Sequence, residues 1–573
     1  MEKIWLKHYP PGVPETIDYP RLTLHQLLEE SASRFPDNTA IIFPGRLGDS
    51  YRLSYRELDP QANRLANALA DLGVKKGDRV ALLMPNCPQF VISYYAVLKA
   101  GGVVVATNPL YSPREIESQL NDCGAETMIL ISLFYQTVAG LKERTSLKNL
   151  VVTNIKEYLP QPSRLLFTLL RERKEGHRAD ISGAAGTYAF RDLLSRFDPT
   201  PPSVTVDPED VAMFQYTGGT TGLSKAAVAT HFNVLANVHQ MRAWGEPLDL
   251  KEGEEVVLGV MPLFHVYGMV VVMHFSVLGG SAMVLLPRWE TDQVLKAINR
   301  YKPSFFPGVP TMYIALNNHS KVSKYDLRSI RLCNSGAAPL PVEVQQRFEE
   351  LTGGKLSEGY GLSEAPTATH ANPVVGMHKT GTIGVPLPDV EAKIMDAETG
   401  EREMPVGEVG ELVIRAPQVM KGYWNRPEET EMTLRGGWLY TGDLASMDDD
   451  GFFSIVDRKK EMIIASGFNI YPREVEEVLY EHPKIKEAVC YGVPDPYRGQ
   501  TVKVCIVLKE GESLTPDEIT EFCQPRLARY KVPKLVEFRD GLPKTLIGKV
   551  LRRVLMEEEE AKLKEANKEQ VEK

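Results

Sequence analysis

Ten consecutive residues have the composition of a polyphosphate cradle: Tyr216-Thr217-Gly218-Gly219-Thr220-Thr221-Gly222-Leu223-Ser224-Lys225. Glycines let backbone N–H groups approach oxygens closely, hydroxyls add donors, and a lysine supplies a mobile positive charge. The spacing is not that of the phosphate loop G-x-x-x-x-G-K-[ST], because Lys225 stands three residues after Gly222 and Ala226 follows it. A Gly/Thr-rich turn needs no ligand, so the remaining motifs must decide. Pro262-Leu263-Phe264-His265-Val266-Tyr267-Gly268 sets a histidine among aromatics and small residues. Ser335-Gly336-Ala337-Ala338-Pro339-Leu340 is a small-residue turn, and Glu358-Gly359-Tyr360-Gly361-Leu362-Ser363-Glu364 joins an aromatic, two glycines and carboxylates. Trp438-Leu439-Tyr440-Thr441-Gly442-Asp443 ends on an aspartate, and Asp457-Arg458-Lys459-Lys460 precedes Ser466-Gly467-Phe468-Asn469-Ile470-Tyr471-Pro472. Pro543-Lys544-Thr545-Leu546-Ile547-Gly548-Lys549 places one lysine behind a glycine turn.

Alternating helices and strands are expected to position these groups. Ser54-Tyr55-Arg56-Glu57 is a capping-box pattern, followed by Leu58, Ala62, Leu65, Ala66, Leu69 and Leu72 on one helical face. A strand over 79–84, a helix over 90–100, a strand over 103–106, a helix over 114–123 and a strand over 127–131 continue the rhythm. The fold class is therefore α/β, with doubly wound sheets whose ligand sites lie at strand ends. Residues 133–190 break the pattern: Pro160, Pro162, the apolar run Leu165–Leu170 and basic residues Arg164, Arg171, Arg173, Lys174 and Arg178 fall here. Two readings stand, a surface insertion bearing a helix, or an interfacial helix touching the inner membrane face through 164–178. A second composition shift near Asp457 opens a small α+β domain with strands over 488–493, 501–508 and 535–538. The expected division is 1–456 and 457–573. From Glu557 onward the Lys/Glu mixture reads as a solvated helix or fraying end.

With 573 residues, 43% hydrophobic and 25% charged, the chain is an ordinary multi-domain globular protein. A net charge of −9 argues against a nucleic-acid partner. Six cysteines without a C-x-x-C pair suit a reducing cytoplasm and suggest neither a disulfide framework nor a zinc site. The N-terminus lacks the apolar run of a secretory signal. Residues 256–287 carry no Asp, Glu, Lys or Arg, yet Gly259, Pro262, Gly268, Gly279 and Gly280 interrupt them. Buried parallel strands around a helix are expected there rather than a membrane span.

Taken together, in this order, the motifs resemble those of the adenylate-forming superfamily of acyl-CoA synthetases, luciferases and peptide-synthetase adenylation domains, most closely bacterial long-chain fatty acid–CoA ligases. The resemblance covers nearly the whole chain. It implies a carboxylate attacking the α-phosphate of ATP to give acyl-adenylate and pyrophosphate, after which coenzyme A displaces AMP. It also implies roles. Thr217 to Gly222, Lys225, Gly336, Ala337, Glu358, Gly359, Tyr360, Gly361 and Ser363 would hold the nucleotide, with Glu364 a ligand for Mg2+. Asp443 would accept the ribose hydroxyls and Arg458 add a charge-assisted contact. Lys549 would bridge carboxylate and α-phosphate in the first step. Lys460 would be the hinge of a rotating C-terminal domain, after whose swing Ser466, Gly467 and Phe468 line the coenzyme A channel. His265 would gate the acyl carbonyl beside an acyl pocket of Val266, Tyr267, Gly268 and Gly308. Ser224 and Ala226 replace the family's frequent Pro and Gly around the loop lysine, and Ile464 stands where several relatives carry a lysine.

No acidic residue lies between Met261 and His274 to hold a substrate ammonium, and the pocket candidates are apolar or small. An aliphatic tail suits them, at about 0.8 kcal/mol per buried CH2. The leading expectation is a long-chain fatty acid. A medium-chain or aryl (coumarate-like) acid is the runner-up, and a non-catalytic nucleotide- or fatty-acid-binding protein of the same fold is the alternative from another class.

Overall fold

The computed structural model describes residues 3–217, 224–338, 340–459, 461–465, 468–495, 498–545 and 550–571; for 468, 469 and 563–571 only the backbone is described. The expected sites Gly218, Gly219, Thr220, Thr221, Gly222, Lys460, Ser466, Gly467 and Lys549, and the Phe468 side chain, lie outside the described residues.

The chain divides into two compact units, one formed by Trp5–Glu391 with Arg415–Gly437, the other holding Ala392–Ile414 and the chain from Trp438 onward. In the larger unit the capping box forms as its sequence dictates. The Glu57 carboxylate accepts from the Ser54 N–H and Oγ, each at 2.8 Å, and the helix Tyr55–Asp71 buries Leu58, Ala62, Leu65, Ala66 and Leu69. That helix feeds an eight-stranded sheet. Its parallel part runs in the spatial order Val211–Thr217, Val103–Ala106, Arg79–Leu83, Thr127–Ile131, Asn149–Thr153, Thr187–Ala189. The antiparallel strands Lys225–Thr230 and Gly422–Tyr423 complete the other edge.

One expectation needs correcting here. The α/β rhythm does not stop at 133, because Asn149–Thr153 is a full parallel strand with Leu150 to Val152 buried. Three apolar residues between polar flanks give too short a signal to separate a buried strand from a loop. The insertion proper is the stretch between that strand and Thr187–Ala189, and it carries the helix Gln161–Leu170.

A second sheet of nine strands forms the other half of this unit. Its parallel centre orders Lys355–Leu362, Leu332–Ser335, Phe305–Gly308, Val256–Gly259, Ala282–Leu285 and Thr39–Pro44, with antiparallel strands at both edges. The uncharged stretch 256–287 is buried core, as expected: two parallel strands linked through a π-helical segment, Gly268–His274, and the helix Phe275–Leu278. Among the described residues no helix is long and apolar enough to cross a membrane.

The second unit holds two smaller sheets. Gly410–Arg415, Trp438–Met447 and Phe453–Arg458 pair antiparallel in one. In the other, Ile485–Asp495 pairs antiparallel with Gly499–Leu508, and Leu535–Phe538 joins parallel. The helices Pro472–Tyr480 and Pro516–Cys523 cover it, and Val475, Leu479, Ile519 and Cys523 pack against Cys490, Val504 and Ile506. The C-terminal segment is a helix, Arg552–Val571, whose Leu555 is buried. All six cysteines are free and buried.

Candidate active site

Three adjacent parallel strands end in register, Gly308 beside Ser335 and Ser335 beside Glu358. Backbone beyond these carboxyl ends opens the crevice where α/β sheets bind ligands. Gly336 and Ala337 follow directly on one strand, and Gly359, Tyr360 and Gly361 extend the next. Ala337 holds a φ of +67°, a conformation that costs an L residue energy and is kept only where its surroundings enforce it. Gly361 has no alternative, since a Cβ there would lie 1.5 Å from the Thr367 carbonyl oxygen of the neighbouring strand. Tyr360 pairs across that strand with His370, ring centroids 5.9 Å apart and edge-on.

Tyr267 ties the acyl-pocket candidates to this crevice. A Cβ on Gly336 would sit 3.6 Å from its ring, so the ring covers the start of the small-residue turn. The Tyr267 hydroxyl lies 2.8 Å from the Asn334 carbonyl oxygen and 3.1 Å from that of Gly308. Burial keeps that phenol protonated, as a donor. Gly268 permits the sharp entry into the following helix, because a Cβ would fall 2.2 Å from the Pro262 oxygen. Val266 is buried beside it. His265 donates its backbone N–H to the Pro262 oxygen at 3.1 Å, and its Nδ1 accepts from the Tyr267 N–H at 3.2 Å. Nδ1 is thus the unprotonated ring nitrogen, which puts the proton of the neutral ring on Nε2.

The base of the glycine-rich loop is a closed hairpin. Thr217 pairs with Lys225 across it, and the Ser224 Oγ donates to the Thr217 oxygen at 2.6 Å. Ser224 therefore locks the loop's mouth. Ala226 lies buried in the strand opposite Tyr216, where no positive φ is asked of it. The hairpin is pinned from behind: the Tyr216 hydroxyl donates to Asp122 at 2.7 Å, and Asp122 also pairs with Arg426 at 3.1 Å.

A residue that sequence reasoning missed connects two that it found. The Tyr423 hydroxyl donates to the Glu364 carboxylate at 2.8 Å, while the Lys225 ammonium sits 5.4 Å from the Tyr423 ring centroid and 3.6 Å from Glu429. Burial and then the Glu364 charge raise the Tyr423 pKa, so it remains a donor. The signal was a Gly422-Tyr423-Trp424 step; Gly422 takes a φ of +144° and has no room for a side chain beside Thr430. Among the described residues no group of three or more His, Cys, Asp or Glu could hold a metal. A single oriented carboxylate suits Mg2+, which is commonly held by one or two carboxylates together with substrate phosphates and water.

In the second unit Asp443 and Arg458 are cross-strand partners, Nε 3.4 Å from Oδ1. Asp443 follows Gly442, whose φ of +72° turns the strand. Asp457 accepts backbone N–H groups from Arg458 (2.7 Å) and Arg473 (2.9 Å). Burial raises its pKa, opposed chiefly by the Arg552 charge. Arg552 grips Glu476 with one nitrogen at 2.7 and 2.9 Å, and also bonds Glu461. On either side of residues 546–549, Lys544 bridges Val550 and the Leu551 N–H donates to the Pro543 oxygen at 2.8 Å. Ile464 is half exposed, and its N–H donates to the Gln500 side chain at 2.8 Å.

Known proteins place this architecture. The AMP-binding enzyme family matches residues 28–424, and the AMP-binding enzyme C-terminal domain matches residues 474–549. A long-chain-fatty-acid–CoA ligase of Bacillus subtilis is 49% identical over 97% of this chain and 98% of its own. A ligase of the same description from Escherichia coli is 39% identical over 98% and 99%. Among solved structures, the anthranilate CoA ligase AuaEII with anthranoyl-AMP superposes with a TM-score of 0.83 at 28% identity, covering 95% of this chain and 98% of that one. ATP-bound MatB from Rhodopseudomonas palustris gives 0.80 at 27% identity, over 94% and 99%. The chain belongs to the AMP-binding enzyme family of adenylate-forming ligases.

Proposed function

We propose that this protein is an AMP-forming long-chain fatty acid–CoA ligase. The observation that carries the reading is end-to-end similarity, at 49% and 39% identity, to ligases of that description. The apolar, small-residue surroundings of Val266, Tyr267, Gly268 and Gly308 support an aliphatic substrate. In the first step a fatty-acid carboxylate oxygen bonds to the α-phosphorus of ATP while the bond to pyrophosphate breaks. In the second the thiolate of coenzyme A bonds to the acyl carbon and AMP leaves, its phosphate keeping the oxygen through which the acyl group was attached.

The residues divide these tasks. Lys549 neutralises charge growing between carboxylate and α-phosphate, where such stabilisation lowers the barrier most. Lys225 and the loop from Thr217 to Gly222 hold the β- and γ-phosphates and the departing pyrophosphate. Mg2+ would be held by Glu364, itself oriented by Tyr423, and would supply neutralisation of phosphate charge. Glu358, Gly359, Tyr360, Gly361 and Ser363, with Gly336 and Ala337, take the adenine and ribose side; Asp443 takes the ribose hydroxyls with Arg458 beside it. His265 moves with access to the acyl carbonyl. The part from 457 to 573 turns about Lys460 between the half-reactions and brings Ser466, Gly467 and Phe468 to the coenzyme A thiol. The enzyme works in the cytoplasm.

The test measures AMP and acyl-CoA formed from ATP, coenzyme A and each of a series of acids from butyrate to stearate, with coumarate alongside. Acid-dependent AMP that peaks on the long chains is expected. A maximum on coumarate or on butyrate replaces the long-chain reading, and AMP formation with no acid dependence overturns the ligase.

A further inference from the structure

Behind Lys225 and Glu364, one carboxylate touches the supports of both. Asp122 stands in the last turn of the helix Pro113–Cys123. It does not serve that helix, because the carbonyl end of a helix disfavours negative charge. Its oxygens are instead divided between two distant parts of the chain. Oδ2 accepts from the Tyr216 hydroxyl at 2.7 Å, and Oδ1 accepts from Arg426 Nη2 at 3.1 Å. Its backbone oxygen accepts from the Trp424 indole N–H, also at 3.1 Å. Tyr216 is buried, and burial above all keeps its phenol protonated as a donor. Bonds from a phenol and a guanidinium to a carboxylate are charge-assisted, hence shorter and stronger than neutral ones.

The three donors flank the loop lysine. The strand Lys225–Thr230 runs between Val211–Thr217 and Gly422–Tyr423, with Ala226 opposite Tyr216 and Ala227 opposite Tyr423. Trp424 and Arg426 lie just beyond the third of these strands, and the Trp424 ring packs on Phe214 of the first, ring centroids 4.9 Å apart. The same segment touches Glu364 twice. The Met420 N–H donates to the Glu364 carbonyl oxygen at 2.8 Å, and the Tyr423 hydroxyl donates to its carboxylate at 2.8 Å. The Tyr423 ring also lies 5.4 Å from the Lys225 ammonium. Contacts therefore run in a closed circuit from Asp122 through Tyr216 to the Lys225 strand, across to Tyr423 and Glu364, and back through Arg426. Catalytic groups held slightly out of place can cost about a hundredfold in rate, so such a circuit bears on function.

We propose that Asp122 is a positioning residue: by holding Tyr216, Trp424 and Arg426 together it sets Lys225 and Glu364 in one fixed relation for the β- and γ-phosphates of ATP. This role rests on the phosphate assignments of Lys225 and Glu364 in the ligase reading. The experiment is calorimetric titration of the full chain with ATP and Mg2+ and, separately, with AMP, which lacks the two outer phosphates. In Asp122→Asn, ATP should bind about tenfold more weakly while AMP stays within about twofold of the parent, because hydrogen bonds to a charged group are lost on the phosphate side alone. Tyr216→Phe removes one hydroxyl and leaves the Asp122–Arg426 pair, so it should shift the same ratio by a smaller factor. Y216F/D122N should lose little more than D122N, since both changes break one contact. Pyrophosphate release should slow in D122N, while thioester formation from supplied acyl-adenylate keeps the parent rate, because no β- or γ-phosphate enters that step. Equal weakening of ATP and AMP overturns the proposal, as general damage to the fold would produce it. So does an unchanged ratio in both single variants, or fully additive losses in the double variant. The ratio is read from binding alone, so its failure stays distinct from a failure to form acyl-CoA, which would overturn the ligase.

Discussion

In the larger unit, residues expected around the nucleotide and acyl group stand on strand ends backed by an apolar interior. Gly308, Ser335 and Glu358 line up by sheet register, and Gly361 and Gly268 sit where no side chain fits. In the second unit the expected Asp443 and Arg458 pair with each other, in a unit that also pairs Lys459 with Glu411 and Arg552 with Glu461 and Glu476. Close packing fixes the first arrangement through many small contacts, none of which can be exchanged singly. Ion pairs fix the second through a few strong contacts. The contrast between a site held by packing and one held by ion pairs can be attacked at several points.

Acid should separate the two units first and most strongly. His231, His274 and His370 are buried in the larger unit, and burial lowers each from 6.5 to about 3. Unfolded chains take up protons on these rings below 6.5 while the folded unit does not, so its stability falls as pH falls. Between pH 7.5 and 5 each histidine removes about 2 kcal/mol. The second unit has only His482, which is half-buried. Burial alone would raise its Glu537, yet Lys503 and further cations hold that carboxyl down at about 2, so its contribution, present above 4.5, is lost only as pH drops toward 2. Hydrogen exchange at pH 7.5 and 5, corrected for intrinsic rates, should show protection lost in peptides of the larger unit before those of 485–508. Parallel loss would break the contrast.

Next in size is Arg552→Ala. Removing the cation leaves Asp457, Glu461 and Glu476 facing one another in a buried site, at about 3–5 kcal/mol. Exchange protection should fall in 472–495 and remain in the sheet around Val103–Ala106. Unchanged protection in 472–495 would show that the ion network holds nothing.

Lys549→Ala should slow adenylate formation by about 10²–10³-fold, the loss typical of one transition-state donor, while thioester formation from supplied acyl-adenylate stays near the parent rate. Equal damage to both half-reactions, followed by pyrophosphate release and by acyl-CoA yield, would argue against a lysine that serves one orientation only. The smallest effect is expected for Tyr423→Phe, which removes the donor to Glu364. A hydrogen bond to a charged group corresponds to about a tenfold loss, seen as a higher KM for ATP at limiting Mg2+. A KM that does not depend on Mg2+ would detach Tyr423 from the carboxylate proposed to hold the metal.

Much of this was legible in the chain itself. The Ser54–Glu57 cap, the strand at 103–106 and the buried stretch 256–287 follow from local pattern, because capping and periodicity act within a few residues. The order of the motifs identified the family before any geometry. What the pattern left out is non-local. Asn149–Thr153 offers three apolar residues that gain meaning only when Thr127–Ile131 lies beside them. Tyr423 stands 59 positions from Glu364, yet the fold sets its hydroxyl against that carboxylate. Ala226, which stands where the family often has glycine, is a strand residue opposite Tyr216. Arg552 reads as one cation in a charged tail until the fold surrounds it with three carboxylates. By itself the sequence determined most of the elements and the family, since these depend on neighbours along the chain. Only the tertiary structure decided which groups share a proton, a charge or a wall, because such contacts depend on chain segments hundreds of residues apart being folded together.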